Sequence, residues 1–287
     1  MNKFPLLFLQ RQTGAVVCCW AVILLGGACC TEALQAATAR KPRPIVQTPW
    51  AEWVEPDFPF FSSVLDARKA GPGLPTNNLT PRGLILNLGH DSWVAFDPDL
   101  LRVAGIWRGK GLTDKALAAG SYHDPSRKSP GGQFPAPEMD GKVWLTNGIY
   151  PGWQTSPQLS LDDPREPAPS PEEVGRGPLS EEMGRLTALR LVRGGVVLEY
   201  TAGGATVREW ITLSEPAGQP VVERHLRVGP SAKPLRLVLG MKAKDTAVSL
   251  GLTSGRNVAQ IAEENSVWTV TVPAHTGPVE FCVAHTD

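Results

Sequence analysis

Three places in this sequence carry side chains suited to chemistry. Asp97 and Asp99 flank Pro98 in the run Phe96-Asp97-Pro98-Asp99. Paired carboxylates serve glycoside hydrolysis when they face one bond, and they bind calcium when other oxygen ligands converge. The run lacks the repeating acidic pattern of a calcium loop, and aspartate at the start of a turn accounts for both residues. His123, in Tyr122-His123-Asp124 beside Arg127 and Lys128, is the best single candidate for acid-base work. The plainer reading is a surface loop held by its own hydrogen bonds. His90-Asp91 repeats the His-Asp pairing on a predicted hairpin tip, where turn chemistry alone explains the two residues.

A second group is aromatic. Trp107, Trp144, Tyr150 and Trp153 stand beside Arg108, Asn147 and Gln154. Sugar sites combine exposed aromatic faces with a few convergent polar groups, and these six residues (Trp107, Arg108, Trp144, Asn147, Tyr150 and Trp153) form the candidate ligand set. Large aromatics also serve as core, which is the competing reading. His225, His275 and His285 are dispersed singly, so no zinc site is expected. No C-x-x-C-H segment occurs, so no covalent haem and no other cofactor is expected within the chain. With 28 basic and 28 acidic residues and no lysine block, a general nucleic-acid surface is not expected either.

The elements that must position these residues read as strands. Gly83–Leu88 and Trp93–Phe96 flank a four-residue connection, Gly89–Ser92, and Leu100–Trp107 alternates with a period of two. Thr187–Arg193, Val196–Thr201 and Ala205–Leu213 are predicted strands joined by Gly194-Gly195 and Gly203-Gly204, which suit tight hairpins. Further strands are predicted at Val221–Val228, Leu235–Gly240, Val258–Glu263, Val267–Val272 and Val279–Ala284. Many short strands with regular turn signals predict an all-β, antiparallel β-sandwich with long irregular loops. One such loop runs from Ser121 to Asp140. Residues 157–183 form a proline-rich acidic stretch, read as a loop packed across a sheet or an internal linker. The 27 prolines and 29 glycines disfavour a helical bundle.

The N-terminus reads as an export signal. Lys3 and Arg11 precede the apolar run Ala15–Leu25, which is shorter than the roughly 20 residues a membrane span needs. Ala37-Thr38-Ala39 fits a cleavage site, giving a signal over residues 1–39, an extended lead over 40–52 and a domain over 53–287. Two alternatives stand beside it: lipid attachment at Cys29 after Gly26-Gly27-Ala28, and an uncleaved anchor. Cleavage after Ala39 leaves Cys282 as the one thiol, read as a buried small residue. A periplasmic or secreted location follows.

Several motifs carry a resemblance. They are Trp53–Phe61 (WVEPDFPFF), Asn78–Gly83 (NLTPRG), Phe96–Ala104 (FDPDLLRVA), Ile106–Gly111, Asn147–Trp153 (NGIYPGW) and Asp163–Glu166 (DPRE). Together, from about residue 50 to the end, they resemble an uncharacterised bacterial family known as a domain of unknown function. That family occurs near the N-terminus of large exported proteins, before a sugar-dehydrogenase-like propeller and a c-type haem segment. The resemblance assigns no catalytic residue. It implies an accessory, non-catalytic β domain of an exported redox protein, with carbohydrate as a candidate ligand and the propeller and haem domains of the same protein as partners. It also implies that the chain is the N-terminal part of something longer. A carbohydrate-active enzyme with an aromatic-lined cleft and a purely structural module are the two alternatives.

Overall fold

The computed structural model describes residues 57–113, 115–116, 136–167, 176–252 and 259–287. The export segment, the lead, His123 and most of the Ser121–Asp140 loop lie outside the described residues.

The alternation in the C-terminal half sets one sheet. In β9 (Ala205–Ser214), Ala205, Val207, Glu209 and Ile211 are buried while Thr206, Arg208 and Trp210 face water. β10 (Val221–Val228) and β15 (Val279–Thr286) follow the same period of two. With β7 (Leu186–Val192), β8 (Gly195–Ala202) and β12 (Ala247–Leu252) they form a six-stranded antiparallel sheet in the order β12-β15-β10-β9-β8-β7.

The N-terminal half builds the other sheet as a meander: β1 (Phe60–Asp66), β2 (Leu79–Gly89), β3 (Ser92–Asp97), β4 (Arg102–Leu112) and β5 (Met139–Thr146). β11 (Leu235–Lys242) then joins beside β5, followed by β14 (Val267–Val272) and β13 (Gln260–Glu264). The short β6 (Trp153–Gln154) also pairs with β11. The two sheets pack face to face without closing into a barrel, so the fold is all-β, as the strand pattern predicts.

Both faces of the meander's centre are covered. Every residue of β3 is buried, and so are Arg102 through Trp107 in β4. One face joins the main core with Phe96, Val103, Ile106, Leu198, Tyr200 and Phe281. The opposite face carries a second cluster around Phe61, Ile85, Trp93 and Trp107. The period of two read over Leu100–Trp107 holds only in part: Leu100 and Leu101 lie in the preceding turn, and a register shift opposite Ala95 and Phe96 lets Val103 and Ile106 both face the main core.

Differences from the sequence reading have local causes. β1, β5, β6 and β12 lie outside the predicted strands: β1 buries Ser63, β5 carries Asp140, Gly141 and Lys142 in its first half, and β6 is only two residues long. Val192 pairs with Gly195, so the first hairpin turns on Arg193-Gly194 rather than Gly194-Gly195. Gly203-Gly204 does form the second turn, with φ of 55° and 86°. The His90-Asp91 connection is two residues rather than four, because Gly89 pairs with Ser92. Both turn residues sit at positive φ, 47° and 58°. Among the described residues there is no α-helix, and no helix long and apolar enough to cross a membrane.

Candidate functional site

Arg102 enters β4 directly after a turn that Asp97 organises. The Asp97 carboxylate accepts hydrogen bonds from the backbone N–H groups of Asp99 (3.0 Å) and Leu100 (3.3 Å). Its other oxygen accepts from Arg102 Nε at 3.1 Å. Arg102 is fully buried, so its charge demands partners. Nη1 donates to the backbone carbonyls of Asn147 and Gly148, and Nη2 donates to Asn78 Oδ1 (3.1 Å) and Thr80 Oγ1 (3.2 Å). All five donors of the guanidinium are engaged.

The carbonyls come from a break in pairing. β5 ends at Thr146 opposite Met241, and β6 resumes at Trp153 opposite Leu237, so Asn147–Gly152 loops out from one edge of β11. Asn147 Nδ2 closes the gap, donating to Val103 O (2.9 Å) and Leu239 O (3.0 Å). Gly152 is required by close approach: a Cβ there would lie 2.1 Å from Leu101 O.

Two further ion pairs flank this knot. Arg82 holds Asp99 through Nε (3.0 Å) and Nη2 (2.8 Å). Burial nevertheless pushes the Asp99 carboxyl above its ordinary value, against the hydrogen bond from Arg82. Arg165 grips Asp163 at 2.9 Å with both Nε and Nη2, and also donates to Gly177 O. Burial opposes the Asp163 charge, but the Arg165 side chain and backbone N–H outweigh it and lower the pKa. Leu179 N donates to Asp99 O, which ties the far end of the proline-acidic stretch to the same turn.

A second polar chain crosses the core. Trp153 Nε1 donates to the Tyr200 hydroxyl (3.0 Å), which donates to Glu209 Oε2 (2.7 Å), while Arg224 Nε donates to Glu209 Oε1 (2.6 Å). Glu209 and Arg224 have no exposed surface. The two Nη groups of Arg224 and both ring nitrogens of the neighbouring His285 make no hydrogen bond to the described protein. Burial, and then the Arg224 charge, lowers the His285 pKa to about 3.

Most of the aromatic ligand set lies inside. Trp107, Trp144, Tyr150 and Trp153 are each no more than 3% exposed, and Asn147 is fully buried. Trp107 stacks on Trp93 with ring centroids 6.4 Å apart and donates to Gly111 O at 2.7 Å. Protein covers these rings, and Arg108 alone of the six is exposed. Asp97 is brought close to Asn147 through Arg102, while Asp99 is held by Arg82, and both carboxylates are buried and engaged.

Open concavity lies elsewhere. A groove of about 690 Å³ separates the β2–β3 tip from the β7–β8 tip, with His90, Asp91, Asn87, Thr212 and Gly194 along it. His90, which lines it, has Nδ1 3.3 Å from Glu215. On the outer face of the six-stranded sheet, Trp210 is 38% exposed. Among the described residues, no three His, Cys, Asp or Glu side chains gather to hold a metal ion.

Residues 94–209 match the family model described as "Domain of unknown function (DUF6797)". The match is narrower than the span over which the motifs resemble such a family. It contains Asp97, Asp99, Arg102, Asn147, Trp153, Asp163, Arg165, Tyr200 and Glu209. Their partners Asn78, Thr80, Arg82 and Arg224 fall outside the DUF6797 segment, so both networks join it to the rest of the sandwich. No curated protein and no solved structure matches the chain.

The sequence reading did not single out Arg102, Glu209, Arg224 or Trp210. For Arg102 the signal was a charge within an apolar run; for Glu209 and Arg224 it was a charge at an inward position of an alternating strand. For Trp210 the signal was parity, since it alternates with buried Val207, Glu209 and Ile211.

Proposed function

We propose that this chain supplies an accessory, non-catalytic β-sandwich domain of an exported protein, one that engages carbohydrate on its solvent face. The observation that carries the reading is the Arg102 knot. The side chains most suggestive of chemistry in the motifs, Asp97, Asp99 and Arg102 with Arg82, are buried or paired and bind strands and turns together. Groups held this way serve architecture, and recognition falls to the surface. The mixture of half-exposed aromatic and charged side chains on the outer sheet supports carbohydrate as ligand. The export pattern of residues 1–39 and the resemblance support a periplasmic or secreted redox protein as the setting, with propeller and haem domains as neighbours.

A second reading, a carbohydrate-active enzyme, is favoured by His90, which lines the groove and pairs with Glu215 as a base oriented by a carboxylate. One incubation separates the two. The purified chain is run through gels containing soluble polysaccharides, and the same mixtures are assayed for new reducing ends. Retardation without release is expected. Release that disappears in His90→Ala would replace the accessory reading with the enzymatic one, and an absence of retardation would remove carbohydrate.

A further inference from the structure

We infer that the outer face of the six-stranded sheet is a platform for a neutral glycan, centred on Trp210. The inference rests on the carbohydrate reading above and names its site. Strand parity alone places the indole outward. In register, Trp210 stands between Val197 on β8 and His225 on β10, so it occupies the middle of the face rather than an edge.

Its neighbours hold the ring without covering it. The His225 ring lies 5.8 Å away at a 39° tilt, and His225 Nε2 is itself 3.1 Å from Thr212 Oγ1. On the other side the β7–β8 turn is glycine: a Cβ on Gly195 would lie 3.7 Å from Trp210 Nε1, and one on Gly194 would lie 4.0 Å from the indole. The indole therefore meets backbone at its edge and keeps a face open. An aromatic with an apolar face and a polar N–H suits a pyranose, which has C–H faces and hydroxyl edges.

The rim supplies the polar contacts. Arg208 pairs with Glu199 at 3.1 Å, Arg190 with the same carboxylate at 2.8 Å, and Arg227 with Glu280 at 3.5 Å. Each guanidinium has five donors, and one carboxylate contact leaves donors directed at solvent. Arg190, Arg208 and Arg227 are matched by Glu199, Glu223 and Glu280, so the face carries no excess charge to draw an anionic chain. A depression of about 270 Å³ runs between Trp210, His225, Arg208, Arg227 and Glu280. That is close to the smallest ligand sites, of about 300 Å³. Stable protein interfaces instead bury roughly 800 Å² per partner around an apolar centre. Here a single indole is ringed by charge, which favours the sugar.

The test is affinity electrophoresis with three neutral polysaccharides (a mixed-linkage glucan, a xylan, a galactomannan) and one anionic one (polygalacturonate). The expected result is retardation by at least one neutral polymer. Trp210→Ala should weaken it by at least about tenfold, Trp210→Phe should keep part of it, and Leu191→Ala should leave it unchanged. Matching denaturation midpoints would show that the variants fold, and Arg208→Ala provides a second loss should Trp210→Ala not fold. Binding that survives Trp210→Ala but is lost in His90→Ala would overturn the platform and leave the carbohydrate reading standing. Retardation by polygalacturonate alone would overturn the neutral ligand. A wild-type dimer that Trp210→Ala makes monomeric, with no polymer bound, would replace the glycan with a second copy of the chain. No retardation of the wild type by any polymer would defeat the underlying reading itself.

Discussion

Arg102 and Asp97 form an ion pair at 3.1 Å with the arginine side chain fully buried and the aspartate side chain 3% exposed. The same guanidinium reaches carbonyls 45 and 46 residues further along the chain. It is thus the point where the β3–β4 turn, the start of β2 and the β5–β6 loop are fastened together. Removing one partner of a buried pair leaves the other uncompensated, a loss of about 3–5 kcal/mol. Arg102→Met should therefore lower stability by that order in urea denaturation. Arg102→Lys should not restore it, because a lysine cannot reproduce the planar five-donor fork. A stability equal to wild type in either variant would contradict this role.

The chain from Trp153 through Tyr200 to Glu209 links the two sheets by hydrogen bonds. Tyr200→Phe removes the hydroxyl that both accepts and donates, leaving an indole N–H and a carboxylate oxygen unpaired. Stability should fall by about 1–3 kcal/mol, read as a lower thermal midpoint. No shift would mean that the hydroxyl plays no part in joining the sheets.

His285 gives the fold a defined acid sensitivity. Its folded pKa is about 3, lowered by burial and the Arg224 charge, against 6.5 for the ordinary side chain. Above pH 6.5 the ring is neutral in both folded and unfolded chains and has no effect on the balance. As pH falls towards 3 the unfolded chain takes up the proton first, so stability declines by about 1.4 kcal/mol per pH unit from this group. Denaturation midpoints from pH 7 to 4 should fall more steeply in wild type than in His285→Leu. Parallel curves would show that His285 does not titrate in this way.

Cys282 should be a poor nucleophile in the folded protein. Burial, with Glu223's charge adding to it, raises its pKa to about 11. The thiolate is the reactive form, so iodoacetamide at pH 8 should label the native chain far more slowly than the urea-unfolded chain. Equal rates would refute the assignment.

Export is testable apart from the fold. Residues 1–39 fused to alkaline phosphatase should yield active enzyme, and Cys29→Ala should leave its release unchanged if cleavage follows Ala39. Loss of membrane association in Cys29→Ala would favour lipidation, and an inactive fusion would remove the export signal.

The sheets were legible where burial is one-sided. β9, β10 and β15 alternate cleanly, and Gly203-Gly204 announces its turn. β3 and β4 hid their environment because both faces are covered, so the period of two carried no polar signal. The Arg102 knot was visible only as separate motifs, since Asn78, Asp97 and Asn147 meet through pairings far apart in sequence. Grouping aromatics by density selected Trp107, Trp144 and Trp153, which pack inside. Parity along Val207-Arg208-Glu209-Trp210-Ile211 would have selected Trp210, but an inward glutamate obscured it until Arg224 supplied the partner.

In the proposed function, the motif residues build the sandwich and its surface does the binding. The direct measurement is Arg82→Met, chosen because the Arg82 side chain is half exposed while its partner Asp99 is buried. Urea denaturation and polysaccharide affinity are read on the same preparation. The expected result is a stability lower by about 1–3 kcal/mol, with affinity for the retarding polysaccharide unchanged under conditions where the variant is folded. Unchanged stability with lost affinity would place the motif residues in the binding site and contradict the account.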